Sequence, residues 1–405
     1  MILPLVVLCA ICILSLTMLF PRAAAILWLL ALATSPDAWL DHLAGIAQHE
    51  TIIALLKAFG LVILAALMLR HGIKRDRTNP AFAFIAMFLT GLLHGLYPGL
   101  SLLSSVRSLI GSASPFLFSF TRLPEDFCRA VIWAVLWGPL CAIGFNLLLT
   151  AAGLDHMYVF EQGALRLGAT GQPPYLAGFA LIGVYAALLE TLILPRRAVI
   201  AALAINFAVI LLTGARAPLA IASVEILVLL ILQRRLVLLA AAGALMAAAA
   251  LFSGWLGFIR IIGLTQLGEA ANLSNRDIVW PYFQQAFWSS PILGWGVGAG
   301  KIIIPASSQL NAVLGTNAAH DEYLRIGTEG GIFGLALLIA LITLWVRRGS
   351  AAMPPAQRWL TRLTFIGFAV HSATDNTMIA TTSSVFFLWA SCIFAMAENR
   401  STPAA

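Results

Sequence analysis

The chain has 405 residues, of which 61% are hydrophobic and 10% are charged. Soluble domains carry about 25% charged residues, so this composition excludes a soluble globular protein and predicts a membrane protein. The formal net charge of +7 does not indicate a nucleic-acid partner, because the basic residues stand in short clusters between apolar segments. Met1 is followed directly by apolar residues, so we expect no cleavable signal peptide.

Long apolar runs predict an all-α polytopic fold. A hydrocarbon core about 30 Å thick is crossed by a helix of about 20 apolar residues. Hydropathy therefore predicts about twelve or thirteen membrane-spanning helices. In chain order they are 1–20, 23–34, 51–69, 80–96, 101–120, 129–152, 175–194, 198–213, 217–232, 236–256, 328–346, 360–374 and 378–396. The second run is short enough to be a half-helix.

The basic residues orient these spans. Short loops rich in Lys and Arg stay in the cytoplasm, and alternation of sides places every basic cluster on one face. The clusters are Arg70–Arg77, Arg196–Arg197, Arg234–Arg235, Arg347–Arg362 and Arg400. We therefore expect this face to be cytoplasmic.

The opposite, exoplasmic face receives one long stretch, 257–328, between late spans. A segment of this length is too long for a connector, and such loops usually carry function. We therefore divide the chain into an N-terminal transmembrane bundle, 1–256, an exoplasmic catalytic loop, 257–328, and C-terminal helices with a cytoplasmic tail, 329–405.

Several arginines lie on the exoplasmic face, against the usual charge bias. Arg216 lies in a turn between two apolar spans, and Arg166 lies in another loop. Arg276 follows a candidate cap, Ser274-Asn275, and begins a predicted helix that runs to about Trp288. A guanidinium there is costly unless an anion meets it, and it binds two phosphate oxygens at once. The alternative is an arginine that reaches lipid headgroups; for Arg216, held between spans, we favour the anion.

The glycine-rich segment Gly294–Lys301 only partly matches a nucleotide-binding loop. Trp295 takes the place of the first glycine of a P-loop, and Ile302 stands where Ser or Thr would bind magnesium. The glycines instead predict a turn whose backbone approaches another segment closely.

His320 is the most informative single residue, because the sequence predicts that it opens a helix capped by Asn317. The positive end of a helix dipole disfavours imidazolium and so favours a neutral histidine that accepts a proton. The alternative is a histidine that merely lies at the membrane interface. Asp321 and Arg325, four residues apart, are expected to pair. The small-residue spacing in Gly327–Gly334 predicts a tightly packed span after them.

A second polar cluster follows a late span. His371, Asp375 and Asn376 lie at an exoplasmic helix end, and one helical turn separates His371 from Asp375. A proton relay or an acceptor-binding pair is one interpretation, and helix capping explains the same residues.

Three motifs in this order resemble the O-antigen ligase and O-antigen polymerase superfamily. They are Thr213-Gly-Ala-Arg216, Asn275-Arg276 with the later Gly294-Trp-Gly296, and His320-Asp-Glu-Tyr-Leu-Arg325 running into Gly330–Gly334. The resemblance implies a GT-C fold in the bacterial inner membrane, with Arg216 and Arg276 on the donor's diphosphate and His320 at the reacting centre. Candidates for support or for the acceptor site are Arg166, Tyr323, Arg325, His371 and Asp375.

The implied reaction moves a saccharide from undecaprenyl diphosphate to lipid A-core on the periplasmic face, or to a growing polysaccharide in the polymerase alternative. His320 would be the general base, and the arginines would stabilise the diphosphate leaving group. The Asp-x-Asp pair that holds a metal in many sugar transferases is missing from the sequence, so we expect no metal, no cofactor and an inverting displacement. A lipid flippase or secondary transporter is the alternative of another class, disfavoured because the candidate residues gather on one face.

Overall fold

The computed structural model describes residues 12–44, 49–161, 164–193, 196–234, 276–305, 308–309 and 318–401. The first helices are α1 (Cys12–Leu19), α2 (Pro21–Thr34), α3 (Pro36–Ala44), α4 (His49–His71), α5 (Ala81–His94), α6 (Leu102–Ala113) and α7 (Glu125–Ala151). An antiparallel hairpin of β1 (Tyr158–Glu161) and β2 (Ala164–Leu167) follows. The later helices are α8 (Pro173–Ile193), α9 (Arg197–Thr213), α10 (Arg216–Leu232), α11 (Arg276–Ser289), α12 (Glu322–Gly349), α13 (Pro355–Ser372) and α14 (Thr381–Ser401).

The helices confirm the predicted all-α polytopic membrane fold. Within the described ranges, five helices are long and apolar enough to cross a membrane, namely α4, α7, α8, α12 and α14. α1 and α2 bend by 115° at their junction and make a sixth if they count as one broken span. The predicted span 236–256 and the first half of the span 1–20 lie outside the described residues.

Several predicted spans are short or broken, so the described ranges hold fewer full-length spans than hydropathy predicts. The predicted span 101–120 consists of α6 and a 3-10 segment, Ser114–Phe120, because Pro115 cannot donate the next α-helical hydrogen bond. α5 has 14 residues. At 1.5 Å per residue it covers only about 21 Å.

α8 lies at the centre of the bundle. In its apolar stretch 83% of the residues are buried, and it packs against α7, α9, α10, α13 and α14. Tyr185 of α8 packs against Phe386 and Trp389 of α14, and all three side chains are fully buried. This packing fixes the start of α14 and with it the 373–380 turn, which joins α13 to α14.

Three basic segments meet at one end of the bundle, which we call the basic end: the loop after α4, the loop before α13 and the end of α14. Lys74 forms an ion pair with Glu398 near the end of α14. Arg400, also near the end of α14, lines a cavity together with Glu190 of α8 and Pro354 from the loop before α13. This arrangement agrees with the prediction for three of the clusters, Arg70–Arg77, Arg347–Arg362 and Arg400, which lie at one end.

The glycine-rich segment lies against a break in α12. Gly331 interrupts that helix with a φ of 60° and a ψ of −167°. A side chain on Gly294 would collide with the Gly331 backbone, and side chains on Gly330 or Gly334 would collide with Met87 of α5. The predicted close backbone approach and the predicted tight packing of this span are both confirmed.

Candidate active site

The start of α12 faces the 373–380 turn, and this junction brings several predicted site residues together. Asp321 caps α12 by accepting hydrogen bonds from the N–H groups of Tyr323 at 2.9 Å and Leu324 at 3.1 Å. His320 therefore precedes the cap and does not open the helix, and the predicted cap Asn317 lies outside the described residues. His320 has a φ of 49°, which is rare for a residue with a side chain. Backbone strain of this kind concentrates at functional sites.

His320 is held by two neighbouring residues of the turn. Its N–H donates to Asn376 Oδ1 at 3.0 Å, and its Nδ1 lies 3.2 Å from Asn376 Nδ2 and 3.5 Å from Asp375 Oδ1. A carboxylate accepts and an amide nitrogen donates, so the two neighbours favour different tautomers of the imidazole. When Nδ1–H donates to Asp375, Nε2 carries the lone pair that accepts a proton.

Asp375 stands between two histidines. Its Oδ2 lies 3.8 Å from Nε2 of His371, so the predicted proximity of His371 and Asp375 is confirmed. Burial alone would raise the pKa of Asp375, but the hydrogen bond with His320, the nearby His371 and the N–H of Asn376 lower that pKa below its ordinary value. Asp375 is therefore ionised at neutral pH and is available as an acceptor.

Arg276 begins α11, as predicted, and reaches the same turn. Its Nη2 donates a hydrogen bond to the carbonyl oxygen of Thr374. Its Nε is buried and has no hydrogen-bond partner among the described residues. Burial lowers the pKa of Arg276, and the charges of Asp375 and Asp321 oppose that shift. A guanidinium still remains protonated, so this buried donor suits an anionic ligand.

Arg166 and Arg216 both adjoin a second turn, the one between α9 and α10. Arg166 reaches it from β2, and Arg216 follows it in the chain. Arg166 is buried on β2, and its Nε donates a hydrogen bond to the carbonyl oxygen of Thr213 at 2.7 Å. Arg216 is the first residue of α10, directly after this turn. The predicted position of Arg216 between two apolar helices is therefore confirmed.

Both turns lie at the N-terminal end of α8. Arg166 stands on β2, the element that precedes α8 in the chain. On the other side, Cε1 of His371 lies 4.0 Å from the position of a Cβ at Gly178, in the second turn of α8. The structure thus brings His320, Asp375, His371 and Arg276 together, with the Arg166–Arg216 turn at the same end of the bundle.

Two further candidates have structural partners. The Tyr323 hydroxyl donates to a carbonyl oxygen of α13 at 2.9 Å and ties the start of α12 to that helix. Arg325 is 2% exposed and pairs with Glu322 at 2.6 Å and Glu329 at 2.9 Å. The predicted pairing of Arg325 with Asp321 is wrong, because the Asp321 carboxylate caps the helix.

Sequence reasoning missed two charged residues that hold the turn. Glu322 accepts hydrogen bonds from backbone N–H groups of the turn. Lys57 of α4 donates a hydrogen bond to a backbone carbonyl oxygen of the same turn. Lys57 gave a signal, because it is a charge inside an otherwise apolar span, and such residues are usually functional. Glu322 gave none, because an acidic residue in the first turn of a helix is ordinary.

The structure describes only part of the predicted loop 257–328, so it tests for a metal site only in that part. The predicted cap before α11, Ser274-Asn275, lies outside the described residues. Within the ranges that are described, no three His, Cys, Asp or Glu side chains come close enough together to hold a metal ion. Metal independence therefore stays a prediction.

Residues 201–339 match the family described as O-antigen ligase. This match includes Arg216, Arg276 and His320 and ends before His371 and Asp375. No curated protein gives a significant match to the chain. The family match confirms the resemblance to the O-antigen ligase and polymerase superfamily and supports a membrane glycosyltransferase of that type.

Proposed function

We propose that the protein moves a saccharide from undecaprenyl diphosphate to a hydroxyl group of lipid A-core at the periplasmic face of the bacterial inner membrane. The observation that carries the proposal is the junction at the 373–380 turn, where His320 and Arg276 approach Asp375. A proton acceptor and an anion-binding group thus contact the same short segment. Glycosyl transfer from a lipid diphosphate needs both.

In the proposed reaction His320 is the general base. Asp375 accepts the Nδ1–H of His320, and Nε2 takes the proton of the acceptor hydroxyl as its oxygen attacks the anomeric carbon. The bond between that carbon and the diphosphate oxygen breaks in the same displacement, so the anomeric configuration inverts. The undecaprenyl diphosphate leaves with the bonding electrons.

The arginines stabilise the leaving diphosphate in this proposal. Arg276 has a buried Nε without a partner among the described residues, and Arg216 lies at the same end of the bundle. Arg166 supports the Arg216 turn through its hydrogen bond to Thr213. Guanidinium groups carry fixed positive charge and bind two phosphate oxygens in one plane, so they can act here without a metal.

A flippase or transporter has one observation in its favour. Glu225 of α10 is 1% exposed, and neither carboxylate oxygen has a hydrogen-bond partner among the described residues. Intramembrane carboxylates of this kind often mark transport paths. The His320 and Arg276 cluster lies at one end of the bundle, however, and a transporter places its site near the midplane. We therefore favour the transferase.

A reconstituted assay tests the proposal. Vesicles that contain the purified chain, a fluorescent undecaprenyl-diphosphate saccharide and lipid A-core should form the ligated glycolipid with an inverted linkage, and the His320→Ala chain should not. Longer saccharides on the polyprenyl carrier, formed without lipid A-core, would indicate the polymerase alternative. Movement of the donor between leaflets without bond cleavage would instead indicate the flippase.

A further inference from the structure

The 373–380 turn is held by a carboxylate from α12. Glu322 stands two residues after His320 and is 1% exposed. Its Oε1 accepts hydrogen bonds from the N–H groups of Met378 at 2.7 Å and Ile379 at 3.2 Å. The start of α12 therefore contacts the turn twice, through His320 at residues 375–376 and through Glu322 at residues 378–379.

A lysine from α4 holds the same turn through its carbonyl group. Lys57 Nζ donates a hydrogen bond to the carbonyl oxygen of Ile379 at 2.9 Å. The peptide groups around Ile379 are therefore held on the donor side by Glu322 and on the acceptor side by Lys57. The two side chains come from different helices and fix one segment of backbone.

Arg325 connects this arrangement to the glycine-rich segment. Its Nε binds Oε2 of Glu322 at 2.6 Å, and its Nη1 lies 2.9 Å from Glu329. Glu329 Oε1 accepts the N–H of Gly300 at 3.3 Å. A Cβ on Gly300 would lie 2.6 Å from Cγ of Arg325, so only glycine fits there. Glu322 and Glu329 are thus two equally buried partners of one arginine, and only Glu322 touches the turn.

Buried ions are an expensive way to stabilise a fold. Well-packed apolar residues in their place are often as stable or more so, whereas hydrogen-bonded charges fix the geometry of what they bind. In this chain the bound element is the turn that presents Asp375 and Asn376 to His320. The network therefore fixes the position of this turn, which apolar packing alone would not do.

We propose that Glu322 and Lys57 are positioning residues, which hold the 373–380 turn so that Asp375 stays in register with His320. This inference rests on the proposed function, because the register matters through the base catalysis assigned to His320. In this proposal neither residue binds substrate, and each acts through its hydrogen bonds to the turn. A displacement of about 1 Å at such a site can lower turnover about 10²-fold.

The test compares Glu322→Gln with Glu329→Gln in the full chain. Hydrogen exchange by mass spectrometry reports on the turn without any need for activity. In Glu322→Gln the amides of Met378 and Ile379 should exchange about 10- to 100-fold faster, as expected for the loss of hydrogen bonds to a charged group. Glu329→Gln alters the other partner of Arg325, which does not touch the turn, so any loss of overall stability should speed all slow amides alike, without selective acceleration at Met378 and Ile379. Lys57→Met should raise the exchange, and Lys57→Arg should restore protection.

Turnover is then measured in a double-mutant cycle with Asp375→Asn. If Glu322 acts through Asp375, Glu322→Gln should lower kcat about 10²-fold alone but little further in the Asp375→Asn chain. Additive losses would overturn the proposal, as would unchanged exchange in the turn or faster exchange with parental turnover. A parental chain that transfers no sugar would defeat the proposed function instead. Exchange would then still decide whether Glu322 holds the turn.

Discussion

The two ends of the bundle hold their charges in different ways. At the basic end, Lys74 and Glu398 pair while their side chains stay 39% and 56% exposed. At the opposite end, Arg325 and its partners Glu322 and Glu329 are at most 3% exposed. One set of charges faces solvent or headgroups, and the other is enclosed beneath the candidate site.

This difference separates charge that orients the chain from charge that builds a site. Exposed ion pairs contribute about 0–1 kcal/mol each, and salt screens them. They are interchangeable, and a topology signal needs only their sign. Buried pairs have defined partners, so each can fix one piece of backbone. We call the end that holds the candidate site the polar end. We expect substitutions there to lower turnover, whereas substitutions at the basic end should leave turnover almost unchanged.

The largest effect is expected for His320→Ala. The acceptor hydroxyl would lose its base, and turnover should fall about 10²–10⁴-fold, as is typical for an acid–base group. Donor binding should persist, because the base acts on the acceptor's proton and not on the diphosphate. Single-turnover transfer and donor binding of the purified variant provide the measurement. A variant that transfers at the parental rate would exclude His320 as the base.

A somewhat smaller effect is expected for Arg276→Ala and Arg216→Ala. The diphosphate is charged before and after cleavage, so each substitution should weaken donor binding as well as lower the rate. Lysine should rescue only partly, because an ammonium group cannot bind two oxygens in one plane. The measurement is the donor affinity of each purified variant, obtained by titration with the donor lipid. Normal donor affinity in both alanine variants would assign these arginines to the lipid interface.

The sequence predicts the parts of the molecule that depend on local pattern. The all-α fold, the close approach of Gly294, the helix that begins at Arg276 and the proximity of His371 and Asp375 all follow from periodicity or short spacing. Asp321 shows the limit of such reasoning. Its carboxylate could cap the helix or pair with Arg325, and both interactions fit the local sequence. In the structure it caps the helix by accepting hydrogen bonds from two N–H groups.

The contacts that assemble the site lie beyond local pattern. His320 and Asp375 are 55 residues apart in the chain, and Lys57 and Ile379 are 322 apart. No spacing rule joins such residues, because their contact depends on how α4, α12 and α13 pack in three dimensions. Local pattern therefore singled out His320, Arg276 and Asp375, which the structure brings together, but not Glu322 and Lys57, which hold the turn.

Chelation should have no effect on transfer. The proposed site relies on arginines for positive charge, so activity in a purified system should survive EDTA. The control is a metal-dependent transferase treated in the same buffer, which should lose activity. Loss of transfer with EDTA and its recovery with magnesium or manganese would contradict the proposal that Arg216 and Arg276 alone neutralise the diphosphate.

The smallest effect is expected at the basic end, where Glu398→Gln removes the partner of Lys74. Both side chains are partly exposed, so Lys74 can be solvated in the variant, and neither Tm nor turnover should change measurably. Glu329→Gln is the matched substitution at the polar end. It leaves Arg325 with one partner in a site that solvent does not reach, and loss of a buried partner typically costs about 3–5 kcal/mol. The measurement is Tm in detergent at low and high salt. Equal losses in the two variants would mean that burial does not distinguish the two ends.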